Sequence, residues 1–267
     1  MTTPSATPMT TLSGYSGDAW AQGPERIYNR LAQALVDFSP VSLRGTRVLD
    51  VGAGTGAASR AIAGAGGSPV AVDVELDMLR HQRDRLGPAV AGDILHLPFA
   101  GDAFDVSVAA FVLAHVAEPQ LALREMARVT LHDGAVLAVT FSATNEQPVK
   151  QIVDGVLVQH GYRFPDWYVD HKRIGEPAIA TAEALRERAD AAGLGDVAVE
   201  EREVDMGVLT AEAIVGWRLG MAHVAPFVEQ LSAEQRARLR DEATAAVARG
   251  DLRLGLRTVM LAARTRS

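Results

Sequence analysis

Asp50, Gly52 and Gly54 fall within five residues of the stretch "RVLDVGAGTGAASRA", between a short apolar run and an alanine-rich segment. Glycines so spaced leave backbone N–H groups open to a ligand, at the positive end of the helix that follows. Gly52, Gly54 and Ala57 also satisfy the G-x-G-x-x-G/A spacing of dinucleotide loops. Asp50 argues against a diphosphate there. A carboxylate facing a diphosphate repels it, whereas an ammonium group is drawn in. Asp73, 21 residues after Gly52, closes a second apolar run, "PVAVD", and can accept hydrogen bonds from both hydroxyls of a ribose. Asp93, in "AGDI", can accept from an adenine amino group. These groups describe a nucleoside joined to an amino acid, without phosphate.

Such residues need strand ends to hold them. "RVLDV", "PVAVD", "AVAGD", the start of "AFDVSVAAFVLAHV" (near Phe104 to Ala110) and "AVLAVTF" read as five strands. They are nearly all apolar, as expected when both faces of a sheet are covered. "AASRAIAGA", "ELDMLRHQRDRL" and "EPQLALREMARVT" read as helices between them. This alternation predicts an α/β fold with a doubly wound parallel sheet and right-handed crossovers. A helix over "GDAWAQGPERIYNRLAQALVDF" precedes the sheet, with Ile27, Leu31, Leu35 and Phe38 at helical spacing. After Phe141 the rhythm breaks. A helix, "PVKQIVDGVLVQHG", leads into the irregular "YRFPDWYVDHKRIGEP". Then come a helix, a strand ("DVAVEEREVDM"), two helices between Thr210 and Gly250, and a last strand, "LRLGLRTVMLAAR". The expected division is a disordered tail over 1–14, a ligand-binding α/β core with its leading helix over 15–141, a cap insertion over 142–178, and the rest of the sheet domain over 179–267, with a second helical insertion at about 210–250.

The successive segments "VLDVGAGTG", "VAVDVELDML", "GDILHLPF", "FDVSVAAFVLAHV" and "LALREMARVTLHDGAVLAV" resemble the motifs of class I S-adenosylmethionine-dependent methyltransferases. The likeness is to the small-molecule branch that includes the ubiquinone/menaquinone-biosynthesis type. It is strong from Arg47 to Phe141, weaker for the leading helix and vague beyond Ser142. His132-Asp133-Gly134 stands where the family usually has Pro-Gly-Gly. The resemblance implies a Rossmann-like seven-stranded, mostly parallel sheet with an antiparallel last strand, and S-adenosyl-L-methionine as cofactor. It implies that Gly52, Ala53 and Gly54 pass under the methionine part, with Asp50 near its ammonium. Asp73 would hold the ribose, Val74 and Met78 would flank the adenine, and Asp93 and Ile94 would meet its edge and face. Ala110 and Phe111 would offer backbone groups to the amino-acid end. One of Tyr15, Trp20 and Tyr28 could close over the methionine carboxylate, or Trp20 and Tyr28 could anchor the helix.

Transfer of a methyl group from a sulfonium needs alignment and dryness more than acid help, because the leaving group departs neutral. A base is needed only for a hydroxyl or a protonated amine acceptor. The candidate catalytic residues are His115, after the fourth strand, and His171 and His223, in the two insertions. His160, Tyr162, Trp167, Tyr168 and Asp170 crowd the first insertion. Trp217 and Met221 are expected on one helical face of the second. The cluster reads as an aromatic acceptor pocket, although each residue could instead pack the cap. Arg26 and Arg30 are expected to be solvated, as is the mixed-charge face of "AEQRARLRDEATAAVARG". The seven histidines form no H-x-x-x-H or H-E-x-x-H pattern, so no metal site is expected.

Composition narrows the class. Of 267 residues, 48% are hydrophobic and 22% charged, and the net charge of -7 argues against nucleic acid or anionic membrane as the main partner. The absence of cysteine excludes thiolate catalysis and suits a reducing cytoplasm. No apolar run reaches the roughly 18 residues of a membrane span. The expected protein is a cytoplasmic methyltransferase, monomer or homodimer, acting on a small organic acceptor such as a natural product or quinone-like ring. The alternatives are a nicotinamide-dependent oxidoreductase, a methyltransferase-fold enzyme that uses the cofactor for cyclisation or decarboxylation, and a non-enzymatic cofactor-binding protein.

Overall fold

A computed structural model describes residues 17–81 and 87–266. The expected tail over 1–14, Tyr15 and the far half of the "ELDMLRHQRDRL" helix lie outside the described residues. The helices are α1 (Gly17–Gln22), α2 (Glu25–Asp37), α3 (Ala57–Gly64), α4 (Leu76–Arg80), α5 (Pro119–Val129), α6 (Pro148–Gln159), α7 (Asp166–Asp170), α8 (Ala182–Ala191), α9 (Ala211–Leu219), α10 (Ala225–Gln230) and α11 (Ala233–Val247). The strands are β1 (Arg47–Val51), β2 (Ser68–Asp73), β3 (Ala89–Ala91), β4 (Phe104–Ala110), β5 (Thr130–Phe141), β6 (Gly195–Val208) and β7 (Arg253–Arg264).

They form one seven-stranded sheet in the order β3-β2-β1-β4-β5-β7-β6. The first five strands are parallel, and β7 runs antiparallel to both β5 and β6. This is the doubly wound, mostly parallel architecture with an antiparallel last strand that the sequence leads one to expect. The order reverses between β1 and β4, and ligands of such sheets bind outside the carboxyl ends of the strands at that point.

Strand alternation divides the core into two layers. Leu49 and Val51, with Val136 and Ala138, face α5 and α8, where Leu123, Met126 and Leu185 cover them. Val48, Leu137 and Val139 face the opposite side, where Leu35 of α2 and Ile62 of α3 cover them. Asp50 therefore points, by period two, to the α2–α3 side. A third apolar body joins α6, α9 and α11 to Ile27 and Leu31 of α2 and to Leu254 and Leu256 of β7, where a cap was expected.

The leading helix and the helix after Thr210 are each broken where one was read. Pro24 stands at the start of α2, the first-turn place that its missing N–H suits, and the residues before Gly23 form the separate α1. Gly220 ends α9, and a Cβ there would overlap Ala19 O and Pro24, so glycine lets the two breaks pack together. Met221 consequently lies in a turn, and it does not share a helical face with Trp217. The stretch read as irregular contains α7 and a π-helical turn, His171–Gly175. No helix among the described residues is long and apolar enough to cross a membrane.

Candidate functional site

The glycine loop joins β1 to α3. Gly52, Gly54 and Gly56 all take positive φ (67°, 53° and 89°), a region closed to most side chains. The N–H groups of Gly52 and Ala53 both donate to Val72 O, at 2.8 and 3.1 Å, which ties the loop to the end of β2. A Cβ on Gly52 would overlap the Val112 side chain, so the exit of β4 also presses on the loop. Gly54 N–H donates to Asp73 Oδ2 at 2.7 Å, and Glu75 N–H donates to Asp73 Oδ1 at 2.8 Å. Burial raises the Asp73 carboxyl above its ordinary range, partly offset by these backbone donors.

Asp50 is the more strained acid. Only 1% of it is exposed. Ser59 Oγ donates to Oδ2 at 2.6 Å, while Oδ1 is buried with no hydrogen-bond partner. Burial, opposed by Ser59, pushes this carboxyl up to about 6. The folded state thus holds a proton between the ordinary value of 3.8 and about 6 that the unfolded chain has released. Stability therefore falls as pH rises through that window, and the full penalty is present above it. Asp50→Asn is expected to raise the melting temperature of the ligand-free protein at pH 8, by at most about 3 kcal/mol in stability, and to weaken binding of S-adenosylhomocysteine. Calorimetric melts and titrations check both signs. A lower melting temperature with unchanged affinity would remove the assigned role.

The other expected cofactor residues lie along the same edge. Val74 is 58% exposed, while Met78 is buried and its Cε lies next to the space above Gly54. Gly92 N–H donates to Asp73 O at 3.0 Å, bringing Asp93 and the buried Ile94 beside the β2 end. Asp93 Oδ1 accepts from Leu95 N–H at 2.9 Å, and its side chain is otherwise largely open. Ala110 ends β4. Phe111 takes φ 64°, an uncommon conformation for a non-glycine residue. Its N–H donates to Val139 O at 2.9 Å, and its ring is held against Phe141 at 4.6 Å and Tyr28 at 5.2 Å. Trp20 packs on Tyr28 at 4.7 Å.

A brace not foreseen from the sequence locks the loop to α2. Arg60 of α3 pairs with Glu25 at 2.6 Å, donates to Asn29 Oδ1 from Nε (3.0 Å) and Nη2 (2.8 Å), and donates to Thr55 O at 2.9 Å. Thr55 Oγ1 donates to Glu25 Oε1 at 3.3 Å. The available signal was the four-residue spacing of Glu25 and Asn29, which puts both on one face of α2. Arg26 and Arg30 are exposed, as expected.

The cap gathers the three candidate histidines. His115 ends a 3-10 turn, Leu113–His115, and stacks on His171 at 4.4 Å and 7°. Tyr168 lies 6.4 Å from His171, and His223 stacks on Tyr168 at 3.6 Å. Four rings thus stand in a row, with Trp167 edge-on to His223. Burial, then the charge of His171, lowers His115 to about 3. Burial, then Arg218, lowers His223 to about 2. Both are neutral near pH 7, and His115 Nδ1 and His223 Nε2 are buried without partners. They serve better as ring walls than as proton acceptors.

His171 differs. Its Nδ1 is 3.2 Å from Ala114 O, and its Nε2 is 3.4 Å from Glu176 Oε1. Burial raises Glu176, but hydrogen bonding from His171 and the Lys172 charge outweigh this and hold the carboxyl at about 2. His171 is thus the one of the three histidines with a carboxylate oxygen beside a ring nitrogen. His160 and Asp170 are not part of this group; they pair with Glu242 and Arg173. Tyr162 is buried and donates its hydroxyl to His223 O at 2.8 Å. Among the described residues no cluster of three or more metal-ligating side chains occurs.

Residues 49–138 match the family model described as "Methyltransferase domain". The chain is 37% identical over 146 residues to a demethylmenaquinone methyltransferase of Renibacterium salmoninarum, covering 54% of this chain and 60% of that protein. It spans 50% to 60% of the length of the first curated relatives it matches. Its fold is similar to that of phosphoethanolamine N-methyltransferase 2 of Haemonchus contortus in complex with S-adenosyl-L-methionine, with a TM-score of 0.55 and 18% identity, over 89% of this chain and 52% of the other. It is also similar to the [4+2]-cyclase SpnF, with a TM-score of 0.55 and 20% identity, over 95% of this chain and 86% of the other. These two likenesses concern the fold.

Proposed function

We propose that this chain, whose residues 49–138 match a methyltransferase domain, is a class I S-adenosylmethionine-dependent methyltransferase acting on a small organic acceptor, a natural product or a quinone-like ring. The observation that carries the reading is the unmet oxygen of Asp50 beneath a positive-φ glycine loop whose next strand ends in Asp73. An ammonium group suits a buried, half-satisfied carboxylate, and a diphosphate does not. The same contrast weighs against a nicotinamide cofactor.

S-adenosylmethionine, when bound, supplies an electrophilic methyl group on a sulfur that leaves neutral. The chain's part is to orient and to exclude water. The N–H groups of Gly52, Ala53 and Gly54 are not open as expected but bond Val72 O and Asp73, so the loop contributes close approach. Asp50 and the bare loop receive the amino-acid end, Asp73 the ribose, and Val74, Met78, Asp93 and Ile94 the adenine. The rings of Phe111, Phe141, Tyr168 and His171 keep the acceptor side dry, and alignment in such a site accounts for much of the acceleration. For a hydroxyl acceptor, His171 backed by Glu176 is the group suited to take the proton. In this reading residues 15–141 hold the cofactor, and residues 142–178 with about 210–250 receive the acceptor. The enzyme works in the cytoplasm as a monomer or homodimer.

The test combines two measurements. Calorimetry should detect S-adenosylmethionine and S-adenosylhomocysteine at micromolar to millimolar concentration, and no heat with either would end the proposal. Mass spectrometry of cell extract incubated with enzyme and methyl-labelled cofactor should find a product that gains label. Cofactor binding without release of S-adenosylhomocysteine would favour cyclisation or decarboxylation instead.

A further inference from the structure

One amine in the cap has no carboxylate. Lys150 and Asp154 stand four residues apart on α6. Arg218 of α9 grips both oxygens of Asp154, from Nε at 2.6 Å and Nη2 at 2.8 Å. Lys172 donates to both oxygens of Glu176, at 2.6 and 2.7 Å. Among the described residues Lys150 Nζ makes no hydrogen bond or ion pair. It stands 5.1 Å from the Phe141 ring centre and 4.9 Å from that of Trp217. Three basic side chains thus face two carboxylates, and Lys150 is the one of the three with no carboxylate within ion-pair distance.

The place of this charge matters. Phe141 leans on Phe111, which follows β4 beside the glycine loop. Lys150 is therefore two rings removed from the loop assigned to the methionine end, on the cap side. The ring faces of Trp217 and Phe141 attract a cation without neutralising it. Burial, then repulsion from Lys172 and Arg218, lowers Lys150 to about 7. An arriving anion would reverse that cost, because it restores the opposite charge the site lacks.

We infer, resting on the methyltransferase reading above, that the acceptor is an aromatic ring carrying an anionic oxygen, a carboxylate or phenolate, and that Lys150 is the residue that pairs with it. Arg218 and Lys172 do not serve, since each is already held by its own carboxylate. Lys150 is here a binding residue that sets specificity and carries no proton in the reaction.

The test uses two probes of one shape, 2-naphthoate and 2-naphthamide, titrated calorimetrically into the full chain saturated with S-adenosylhomocysteine. The wild type is expected to bind the naphthoate at least tenfold more tightly than the amide. Lys150→Met should abolish that preference and leave amide affinity within about twofold, and Lys150→Arg should retain most of it. Lys150→Gln serves as a second neutral variant should the methionine variant fail to fold. Equal affinities in the wild type, absence of naphthoate binding at millimolar concentration, or a preference surviving in the neutral variants would overturn the inference. Binding of S-adenosylhomocysteine is measured first. Its absence sinks the methyltransferase reading, whereas its presence with no charge preference sinks only the role of Lys150.

Discussion

Asp73→Ala is expected to weaken S-adenosylhomocysteine binding by about a hundredfold or more. A ribose offers two hydroxyls, and each charge-assisted hydrogen bond lost costs roughly 1.5–3 kcal/mol. The two together correspond to at least a hundredfold, at about 1.4 kcal/mol per tenfold. The substitution also removes the acceptor for Gly54 N–H, at 2.7 Å, so the loop loses its tie to the β2 end. Asp73→Asn separates the two effects. It keeps an acceptor for Gly54 but not the charge, and is expected to fall between the wild type and the alanine variant. Titration calorimetry reads all three proteins. Affinity unchanged in Asp73→Ala would take Asp73 out of the site.

Gly52→Ala is expected to abolish micromolar cofactor binding and to lower the melting temperature by several degrees. Two costs coincide at this position. Its φ of 67° penalises a Cβ by roughly 1–2 kcal/mol. The new atom would also overlap the Cβ of Val112, which cannot rotate away as a side-chain tip can. Either the loop gives up the Val72 O bonds of Gly52 and Ala53, or the β4 exit moves and carries Phe111 with it. Both outcomes displace groups assigned to the cofactor. Gly54→Ala is the comparison. Its φ is also positive, but the nearest atom to a Cβ is the flexible Met78 Cε at 3.5 Å, so a smaller loss is expected. Wild-type affinity in Gly52→Ala, measured by the same titrations, would contradict the loop geometry.

Legibility followed the range of the interactions. β1 was readable to the residue, because "RVLDV" is mostly apolar and buried on both faces and it pairs with the next strand in sequence, β2. The glycine loop was readable because its conformation is dictated locally by φ. The start of α2 at Pro24 was readable too, from its missing N–H, whereas the break at Gly220 was not, since it depends on α1 and α9 meeting across almost two hundred residues. Arg60 looked like any charged residue on a helix until α2 supplied Glu25 and Asn29. Lys150 was invisible for the same reason: a lysine on an amphipathic helix is ordinarily solvated, and here its environment is made by Trp217 and Phe141. Of the three histidines read as chemically active, only His171 has a carboxylate within reach, and that contact is not encoded in its spacing from the others.

The Arg60–Glu25–Asn29–Thr55 brace ties the leading helix to the glycine loop, so that displacing one strains the other. Whatever docks α2 more firmly must tighten the ligand, and by reciprocity the ligand must hold α2 in place by the same free energy. Occupancy of one end of the sheet is thereby reported at the opening of the chain, where α2 also forms a wall of the cap core through Ile27 and Leu31. On the proposed reading, cofactor binding at the loop and packing of the α6–α9–α11 layer are coupled through α2.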